Sequence, residues 1–476
     1  MIDFANDVCR ALANGARDRD AAAYRTGDDV RSYGALWADA QRTAGLLRRQ
    51  GTGPVLIRGT AHPDTLTAML ACLLAGRAYV PIDPQLPAAR AAAIRAQTRS
   101  TCTLRSADCA GDGLRLAELD AFRDAPVQAQ PGDTAYIIFT SGSTGTPKGV
   151  PISVRNLAHF IRWLRTIPAL HSDTPTAVFN PARYSFDLSV AGMYLALSGG
   201  HTLVAPSAAQ AARLTGAREA MAAAGASVAV VTPTYFKRCL LDEACTASAI
   251  PTLRCIYFCG ERLDPSLVRA IWARFPAVRI VNAYGPTEAT SAVSAIEITP
   301  QLLAAEPVLP VGTSADAAVQ ITADDGELVL RGASVFGGYL DGRAGGYFRD
   351  SGENAYRTGD LGAVRGGRIY CFGRCDQQVK YKGYRIELGD IEENINRIPG
   401  VRECAVIPRR YADGAVKLLK AFVAADGMDA DQIRAALAAA LPAALPEYMI
   451  PKVICCVDAL PVNANGKIDR KELASR

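Results

Sequence analysis

The order of apolar and polar residues predicts alternating helices and short buried strands over the first two thirds of the chain. From residue 65 the apolar positions follow helical spacing until Gly76, and residues 78–84 are then typical of a short strand and a turn. The same alternation recurs at further β-rich runs, which occupy residues 228–231, 255–258 and 278–281. Helical stretches such as residues 266–274 separate these runs. The pattern therefore predicts an α/β fold whose parallel strands are buried on both faces.

The pattern changes after about Asp316, where glycine-rich turns rather than helices divide the strands. Short strands are expected at residues 319–321, 327–330 and 368–371. Pairs of glycines at 337–338 and 366–367 favour antiparallel pairing in a small barrel-like section. After Gly373, helical patterns at residues 391–398 and 430–441 and a strand pattern at 404–407 predict a small α+β domain.

These changes predict one large domain followed by a small one. We expect residues 1–373 to form the large domain, with two parallel-type α/β subdomains and a small β-barrel subdomain. A hinge is expected at residues 374–377, and residues 378–476 would form the small domain. The length of 476 residues allows this division, since domains commonly have about 100 to 200 residues.

Composition and charge exclude several classes of protein. Hydrophobic residues make up 49% of the chain and charged residues 21%, which excludes disordered, collagen-like and small disulfide-rich proteins. The net charge of +5 is spread along the sequence without blocks of like charge, so we expect no nucleic-acid partner. The most apolar segment, residues 66–74, is far shorter than the roughly 18 residues of a spanning helix, and we expect no membrane insertion.

The thirteen cysteines are better explained by a reducing compartment than by disulfide bonds. The first residues lack the basic and apolar regions of a secretion signal, so we expect a cytoplasmic protein. No CxxC pair is present and the four histidines lie far apart in the sequence, so a zinc site is not expected.

Residues 136–150 carry the most specific chemistry in the sequence. An apolar strand leads into a run of hydroxyls and glycines that ends with a lysine, and this run is Thr140-Ser141-Gly142-Ser143-Thr144-Gly145-Thr146-Pro147-Lys148-Gly149. Glycines let backbone N–H groups approach an anion, hydroxyls donate hydrogen bonds and the lysine adds positive charge, so the expected ligand is a polyphosphate. The run is not a P-loop, because Pro147 precedes Lys148 and Gly149 follows it. A surface turn without a ligand is the alternative.

This run resembles the phosphate loop of the adenylate-forming superfamily, which includes acyl-CoA synthetases, luciferases and the adenylation domains of nonribosomal peptide synthetases. Further segments match in the same order, at residues 282–288, 356–360, 373–380 and 465–470. They resemble the family's adenine and metal segment, its ribose-binding segment, its hinge and its carboxy-terminal lysine loop. The resemblance covers about residues 32–473 and implies an enzyme that binds ATP and Mg²⁺ and whose small domain is mobile.

The resemblance implies a role for each matched residue. The implied ATP-binding residues are residues 140–145 together with Ala283, Tyr284, Gly285, Thr287, Asp360, Arg374 and Lys467. Tyr284 would stack on the adenine, Thr287 would bond the α-phosphate, and Asp360 would accept hydrogen bonds from the ribose hydroxyls. Glu288, a hard oxygen donor, would bind Mg²⁺.

The catalytic residues implied by the resemblance are Lys467, Lys148 and Thr287. Attack of a substrate carboxylate on the α-phosphate of ATP joins two anions, and a cation between them stabilises the charge that develops. Lys467 lies in Gly-Lys-Ile-Asp-Arg, which resembles the family's lysine loop, and it is the residue to which we assign this role. Without that context, a lysine near a chain end is more often a solvated surface residue.

Asp187 indicates that the substrate is an amino acid. It lies in Ser-Phe-Asp-Leu-Ser-Val, among aromatic and aliphatic residues where a carboxylate is costly to bury unless a cation pairs with it. In the amino-acid-activating branch of the superfamily, the matching aspartate binds the α-ammonium group, whereas fatty acyl and aryl acid enzymes generally lack it. A helix N-cap is the alternative interpretation of Asp187.

Within that branch the chain resembles the stand-alone D-alanine ligases, which load D-alanyl carrier proteins. Cys259 matches a cysteine that narrows the side-chain pocket in those enzymes, and a small buried hydrophobic residue is the alternative interpretation. The implied substrate-binding residues are Asp187, Leu188, Val230, Tyr257, Cys259 and Ala283. Because Tyr257 and Cys259 would leave room for little beyond a methyl group, we expect an alanine-sized amino acid of either chirality.

Residues 378–387 resemble the segment that enters the active site for thioester formation, once the small domain has rotated about Asp376. Gly383 would border the pantetheine tunnel, where a side chain would obstruct it. The sequence contains no Ser-bearing carrier module, so we expect a separate phosphopantetheinyl carrier protein as acceptor, with coenzyme A as the less favoured one. We expect the enzyme to be a monomer.

Three functions remain open at this point. The first is an amino acid–carrier protein ligase, and the second is an acyl- or aryl-CoA synthetase, against which Asp187 argues. The third is a nucleotide-binding protein without turnover, against which the presence of Lys148, Glu288, Asp360, Arg374 and Lys467 argues. The pathway is open too. It is either teichoic acid D-alanylation, which belongs to Gram-positive bacteria, or natural-product biosynthesis with D-Ala, L-Ala, Gly, Ser or another small amino acid, which the Ala- and Arg-rich composition favours.

Overall fold

The computed structural model describes residues 12, 17–109, 113–115, 130, 132–142, 146–172, 174–376, 378–381, 383–411, 414–462 and 468–476. In chain order the strands are β1 Ala22–Thr26, β2 Asp29–Ser32, β3 Val55–Arg58, β4 Tyr79–Ile82, β5 Cys102–Arg105, β6 Leu114–Arg115, β7 Thr134–Thr140, β8 Lys148–Ser153, β9 Ala177–Phe179, β10 Thr202–Ala205, β11 Ala226–Val231, β12 Cys255–Phe258, β13 Arg279–Tyr284, β14 Ser294–Ile298, β15 Gly312–Thr313, β16 Gln320–Asp324, β17 Glu327–Arg331, β18 Tyr347–Asp350, β19 Glu353–Arg365, β20 Arg368–Arg374, β21 Gln378–Tyr381, β22 Tyr384–Glu387, β23 Val401–Arg410, β24 Val416–Ala425 and β25 Val453–Cys456.

The α-helices, also in chain order, are α1 Tyr33–Arg49, α2 Pro63–Leu74, α3 Ala88–Thr98, α4 Val154–Leu164, α5 Leu188–Gly199, α6 Ala208–Ala211, α7 Gly216–Ala224, α8 Pro233–Cys239, α9 Pro265–Arg274, α10 Pro300–Ala305, α11 Leu388–Asn396, α12 Ala430–Ala444 and α13 Arg470–Ser475. Short 3₁₀ turns lie at Pro168–Leu170, Thr287–Ala289 and Glu447–Met449. Within the described ranges, none of the helices is both long enough and apolar enough to cross a membrane.

The described residues form two compact units. The first takes residues from Met1–Pro84, Thr98–Ile138 and Val150–Cys375, and the second takes residues from Gln85–Gln97, Phe139–Gly149 and Asp376–Arg476. The second unit therefore includes most of α3 and the predicted phosphate loop, in addition to the carboxy-terminal residues. Because this grouping does not test a hinge, the predicted boundaries 1–373, 374–377 and 378–476 stay predictions.

An eight-stranded sheet of the first unit has the order β14-β13-β12-β11-β9-β10-β1-β2. Its six inner strands pair in parallel, whereas the edge strands β14 and β2 are antiparallel to their neighbours. The apolar runs at 228–231, 255–258 and 278–281 lie largely in β11, β12 and β13, which confirms the predicted α/β fold with buried parallel strands.

The side chains of these inner strands alternate between two apolar cores, as the two-residue repeat of a strand requires. Val230 and Tyr257, which are register partners, contact one core together with the buried face of α5. Val231 and Phe258, which are also register partners, contact the other core together with α9. Side chains of the inner strands that alternate in step with Val230 and Tyr257 therefore point to the α5 side of the sheet.

Two further sheets complete the first unit. One has the order β6-β5-β3-β4-β7-β8, and residues 139–149, from the end of β7 to the start of β8, group with the second unit. The other has the order β15-β20-β19-β17-β16 with β18 paired to β19, and its pairs are antiparallel, as predicted for the chain after Asp316. Gly366 and Gly367 turn the chain between β19 and β20 with φ of +54° and +74°, a conformation that glycine adopts without strain.

The carboxy-terminal part of the second unit contains the hairpin β21-β22, the sheet β23-β24-β25 and the helices α11 and α12. The helix predicted at 391–398 lies at Leu388–Asn396 instead. It starts earlier because Leu388 packs in the same core as Ile391 and Ile395, which are three and seven positions further on.

Candidate active site

Asp187 occupies the N-cap position of α5, but its carboxylate does not cap the helix. No capping hydrogen bond from this side chain is present within the described part of the chain. Instead, Thr287 Oγ1 donates a hydrogen bond to Asp187 Oδ2 at 2.5 Å. The structure thus brings together two predicted site residues that lie 100 positions apart, and the N-cap alternative for Asp187 is not supported.

The residues predicted to surround the substrate side chain lie in one apolar core. Leu188, Val230, Tyr257, Cys259 and Ala283 are all buried, with at most 3% of their surface exposed, and all belong to the core on the α5 side of the sheet. Val230, Tyr257 and Ala283 follow the same alternation on β11, β12 and β13, and Cys259 lies one residue beyond the end of β12. The strand residues among them therefore share a face of the sheet, as the two-residue repeat of a strand requires, whereas their binding of a substrate stays a prediction.

Two polar groups lie among these apolar side chains. The Tyr257 hydroxyl is buried and has no hydrogen-bond partner among the described residues, and burial raises its pKa well above the usual value. Cys259 Sγ lies 3.9 Å from the Ser291 carbonyl oxygen. Ser291 and Thr290 adopt φ of +72° and +63°, which is rare for residues other than glycine and common near functional sites.

Tyr136 is a neighbour of Asp187 that the sequence patterns did not single out. It lies on β7, is fully buried, and its hydroxyl has no hydrogen-bond partner within the described ranges. Burial and then the charge of Asp187 raise the pKa of Tyr136, so the phenol stays neutral at physiological pH. Its strand leads into the hydroxyl-rich loop, which is the one signal in the sequence that could have marked it.

The predicted ribose and adenine residues form one hydrogen-bonded group. Tyr284 Oη donates to Asp360 Oδ2 at 2.6 Å, and Arg374 Nη1 donates to Asp360 Oδ1 at 2.7 Å. Strand register accounts for the second contact, because Asp360 on β19 lies directly opposite Arg374 on β20. Burial first, and then the charge of Asp360, raise the pKa of Tyr284 far above its usual value, so its hydroxyl remains a donor.

Glu288 is the residue predicted to bind Mg²⁺, and it lies in the 3₁₀ turn Thr287–Ala289. Its side chain is fully buried, and Tyr339 Oη donates to Glu288 Oε1 at 2.6 Å. Among the residues that the structure describes, no group of three or more His, Cys, Asp or Glu could hold a metal. A Mg²⁺ that takes one carboxylate from the protein and further oxygens from phosphates and water fits this donor chemistry.

The described part of the phosphate loop is tightly folded and bonded within the second unit. Gly142 is required here, because a Cβ atom at this position would lie 2.0 Å from the Thr146 carbonyl oxygen. Lys148 Nζ forms an ion pair with Glu387 Oε1 at 2.9 Å. Ser141 Oγ donates to the Arg385 carbonyl oxygen and accepts from Glu387 N, both at 2.9 Å. These contacts with β22 were not predicted.

Two other predicted functional positions lie in the second unit. Asp376 Oδ1 accepts a hydrogen bond from Gln378 N at 3.0 Å. Gly383 is buried in the turn of the hairpin β21-β22 with φ of +84°. The turn itself therefore favours glycine, which is a reason for Gly383 that is independent of a tunnel. The predicted residues Ser143, Thr144, Gly145 and Lys467 lie outside the described residues.

Family models match most of the chain. A model described as AMP-binding enzyme matches residues 10–340, and one described as AMP-binding enzyme C-terminal domain matches residues 390–467. The chain belongs to the AMP-binding enzyme family. This membership confirms the superfamily that the phosphate loop and the following segments indicated.

Named relatives of this AMP-binding enzyme span its whole length. It is 35% identical over 484 residues to a D-alanine–D-alanyl carrier protein ligase of Bacillus licheniformis, and the match covers 95% of this chain and 96% of the relative. It is 34% identical over 487 residues to a ligase of the same name from Staphylococcus aureus, with 100% and 99% covered.

Solved adenylation-domain structures share its fold. The Vibrio cholerae adenylation domain AlmE, in complex with glycyl-adenosine-5'-phosphate, has a TM-score of 0.83 at 22% identity and covers 99% of this chain and 98% of that chain. A holo NRPS protein containing adenylation and PCP domains has a TM-score of 0.83 at 27% identity, covering 98% of this chain and 83% of that chain. At 22% identity, the similarity to AlmE shows a shared fold and nothing more.

Proposed function

We propose that this AMP-binding enzyme activates a small amino acid with ATP and transfers it to the phosphopantetheine thiol of a separate carrier protein. The observation that carries the proposal is the contact between Asp187 and Thr287, at the edge of the apolar core that contains Tyr257 and Cys259. The carboxylate at this position does not cap α5, which supports its use for the α-ammonium group of a substrate. The names of the full-length relatives support a carrier protein as the acceptor.

In the first step the substrate carboxylate attacks the α-phosphate of ATP. An oxygen–phosphorus bond forms to give the aminoacyl adenylate, and the bond to pyrophosphate breaks. Asp187 would hold the ammonium group, so that the carboxylate of the same substrate points at a fixed place. The Thr287 hydroxyl, which now donates to Asp187, would donate to the α-phosphate instead once the ammonium group has taken its place. Lys467 would stabilise the negative charge that develops between the two anions.

The nucleoside would be held by the group around Asp360. Both carboxylate oxygens already accept hydrogen bonds, one from Tyr284 and one from Arg374. These two donors fix the orientation of the carboxylate, which leaves its remaining lone pairs for the ribose hydroxyls. Mg²⁺ would be held by Glu288 and would supply positive charge beside the phosphates.

In the second step the carrier thiol attacks the adenylate carbonyl, a thioester forms and AMP leaves. Residues 378–387 would take part in this step, and Gly383 would border the pantetheine tunnel. We place the reaction in the cytoplasm and expect the enzyme to be a monomer. Natural-product biosynthesis and teichoic acid D-alanylation both use this chemistry, and the genes beside this one, above all a gene for a free carrier protein, would separate them.

The substrate is tested by ATP–pyrophosphate exchange with D-Ala, L-Ala, Gly, Ser, Phe and Leu. We expect exchange with alanine-sized amino acids and little with Phe or Leu, because Tyr257 and Cys259 close the side-chain pocket. A preference for Phe or Leu would contradict the small pocket. Exchange that requires a fatty or aryl acid would instead support the acyl-CoA synthetase alternative.

A further inference from the structure

Lys148 forms an ion pair with a carboxylate that has no role in the predicted mechanism. Lys148 Nζ lies 2.9 Å from Glu387 Oε1, and the two side chains are only 12% and 8% exposed. Gln378 Nε2 also donates to Glu387 Oε1. Glu387 precedes α11, but its side chain makes no capping hydrogen bond within the described ranges. Its carboxylate is therefore directed at the phosphate loop rather than at its own helix.

The hydroxyl of Ser141 is engaged by the same short strand. It donates to the Arg385 carbonyl oxygen and accepts from Glu387 N, both at 2.9 Å. A serine hydroxyl has a single proton to donate, so this hydrogen bond uses the only one that Ser141 could offer an anion. Two predicted phosphate-binding groups are thus both bound by residues 385–387.

A polyphosphate and Glu387 would compete for these groups. Like charges close together repel strongly where water is scarce, so a phosphate at Lys148 disfavours the Glu387 carboxylate beside it. Conversely, Lys148 without any anionic partner would be a nearly buried and unpaired charge, which is strongly unfavourable. One anion or the other is expected to neutralise Lys148.

We infer that Glu387 is a positioning residue of the phosphate loop, which holds Lys148 and Ser141 while no polyphosphate is bound and releases them when one binds. The inference rests on the proposed function, in which this loop binds the phosphates of ATP. Release of pyrophosphate would then let Glu387 pair with Lys148 again. The loop then docks on β22, the strand that follows Gly383, at the point where the thioester step begins.

The kinetic test replaces Glu387 with glutamine, which keeps the size and can still accept from Gln378. The matched control is Glu392→Gln, because Glu392 also forms an ion pair in the second unit, with Arg470 at 2.8 Å, and has no described contact with the loop. In ATP–pyrophosphate exchange we expect the KM for ATP to fall about tenfold in E387Q, since ATP no longer displaces an anion. The KM for the amino acid should keep its wild-type value in both variants. An unchanged or raised KM for ATP in E387Q would overturn the inference.

A second measurement uses the wild-type protein and needs no turnover. Inorganic tripolyphosphate is added, and amide hydrogen exchange is followed in the peptides that cover residues 378–387. We expect faster exchange at Glu387, whose N–H donates to Ser141 in the absence of the anion, and no change in peptides that cover α12. Unchanged exchange at 384–387 would overturn the inference. Because tripolyphosphate carries no nucleoside, this result is independent of whether an amino acid is activated.

Discussion

The predicted amino-acid-binding residues of the first unit and the predicted phosphate-binding residues of the second unit are held in different ways. Around Tyr257 and Cys259 the walls are apolar side chains of neighbouring strands, and the Tyr257 hydroxyl has no partner among the described residues. Around Lys148 and Ser141 the polar groups are paired with residues 385–387. A wall built from strands is rigid and selects by size, whereas a loop held by an ion pair can exchange that partner for a ligand.

The largest expected effect concerns Asp187, the residue proposed to bind the substrate ammonium group. Asp187→Asn removes the partner of the substrate ammonium group, and we expect kcat/KM for the amino acid to fall about 1,000-fold, as for truncation of a buried charge pair. ATP–pyrophosphate exchange measures this. The control is Asp264→Asn, because Asp264 does cap its helix, α9, by accepting from Ser266 N at 2.7 Å. Asparagine caps a helix about as well as aspartate, so this variant should keep both its exchange activity and nearly all of its stability. If D187N also keeps its exchange activity, Asp187 does not hold the ammonium group.

The next effect separates the two half-reactions in the second unit. Gly383→Ala should retain exchange and slow thioester formation by about 100-fold, because a side chain would displace the incoming thiol. Gly383 has φ of +84°, so some loss of stability is expected from the turn alone. Gly427→Ala is the control, since Gly427 has φ of +70° with open space where a Cβ would lie. Equal loss of exchange and of thioester formation in G383A would contradict the tunnel.

The third prediction concerns the size of the substrate side-chain pocket, which a smaller residue at Cys259 should enlarge. Cys259→Ala should raise the preference for 2-aminobutyrate over alanine about tenfold, which is typical of one methylene group in an apolar pocket. The ratio of kcat/KM values in exchange assays measures it. Cys255→Ala is the control, because Cys255 lies four residues earlier in the chain, at the start of β12, and belongs to the same core. If both variants shift the preference equally, the cavity at Cys259 does not define the pocket.

The smallest effect compares two buried phenols. Tyr257→Phe removes a hydroxyl without a described partner and should leave the free energy of unfolding unchanged or raise it by about 1 kcal/mol. Tyr284→Phe removes the donor to Asp360 and should lower the free energy of unfolding by about 1–3 kcal/mol. Denaturant titration measures both. A clear loss of stability in Y257F would show that its hydroxyl is bonded in solution.

These two sets of residues also differ in how far the sequence predicts their arrangement. The strands at 228–231, 255–258 and 278–281 and the shared face of Val230, Tyr257 and Ala283 follow from a two-residue repeat. The family resemblance assigned Asp187 and Thr287 to the same active site, but neither it nor any local pattern predicted their direct hydrogen bond. The pair of Lys148 and Glu387, 239 positions apart, depends on how the second unit assembles, and no periodicity encodes that.

The sequence patterns also failed to predict strands and helix ends at the edges of the fold. The antiparallel pair β1-β2 at Ala22–Ser32 has no continuous apolar run, because β2 is exposed or half-buried throughout. The first turn of α11 was placed too late, since Leu388 follows a strand and its contribution to the helix core shows only in the packed structure. Patterns of burial therefore predict the central elements better than the edges.

The central claim is that an amino acid held by Asp187 is activated and passed to a carrier protein. The direct test incubates the enzyme with ATP, Mg²⁺, alanine and a holo carrier protein, and intact-protein mass spectrometry then measures the carrier. We predict an alanyl thioester on the phosphopantetheine of the carrier, formed by the wild-type enzyme and absent with D187N. Exclusive formation of a coenzyme A thioester from a fatty or aryl acid, with an unmodified carrier protein, would contradict the claim.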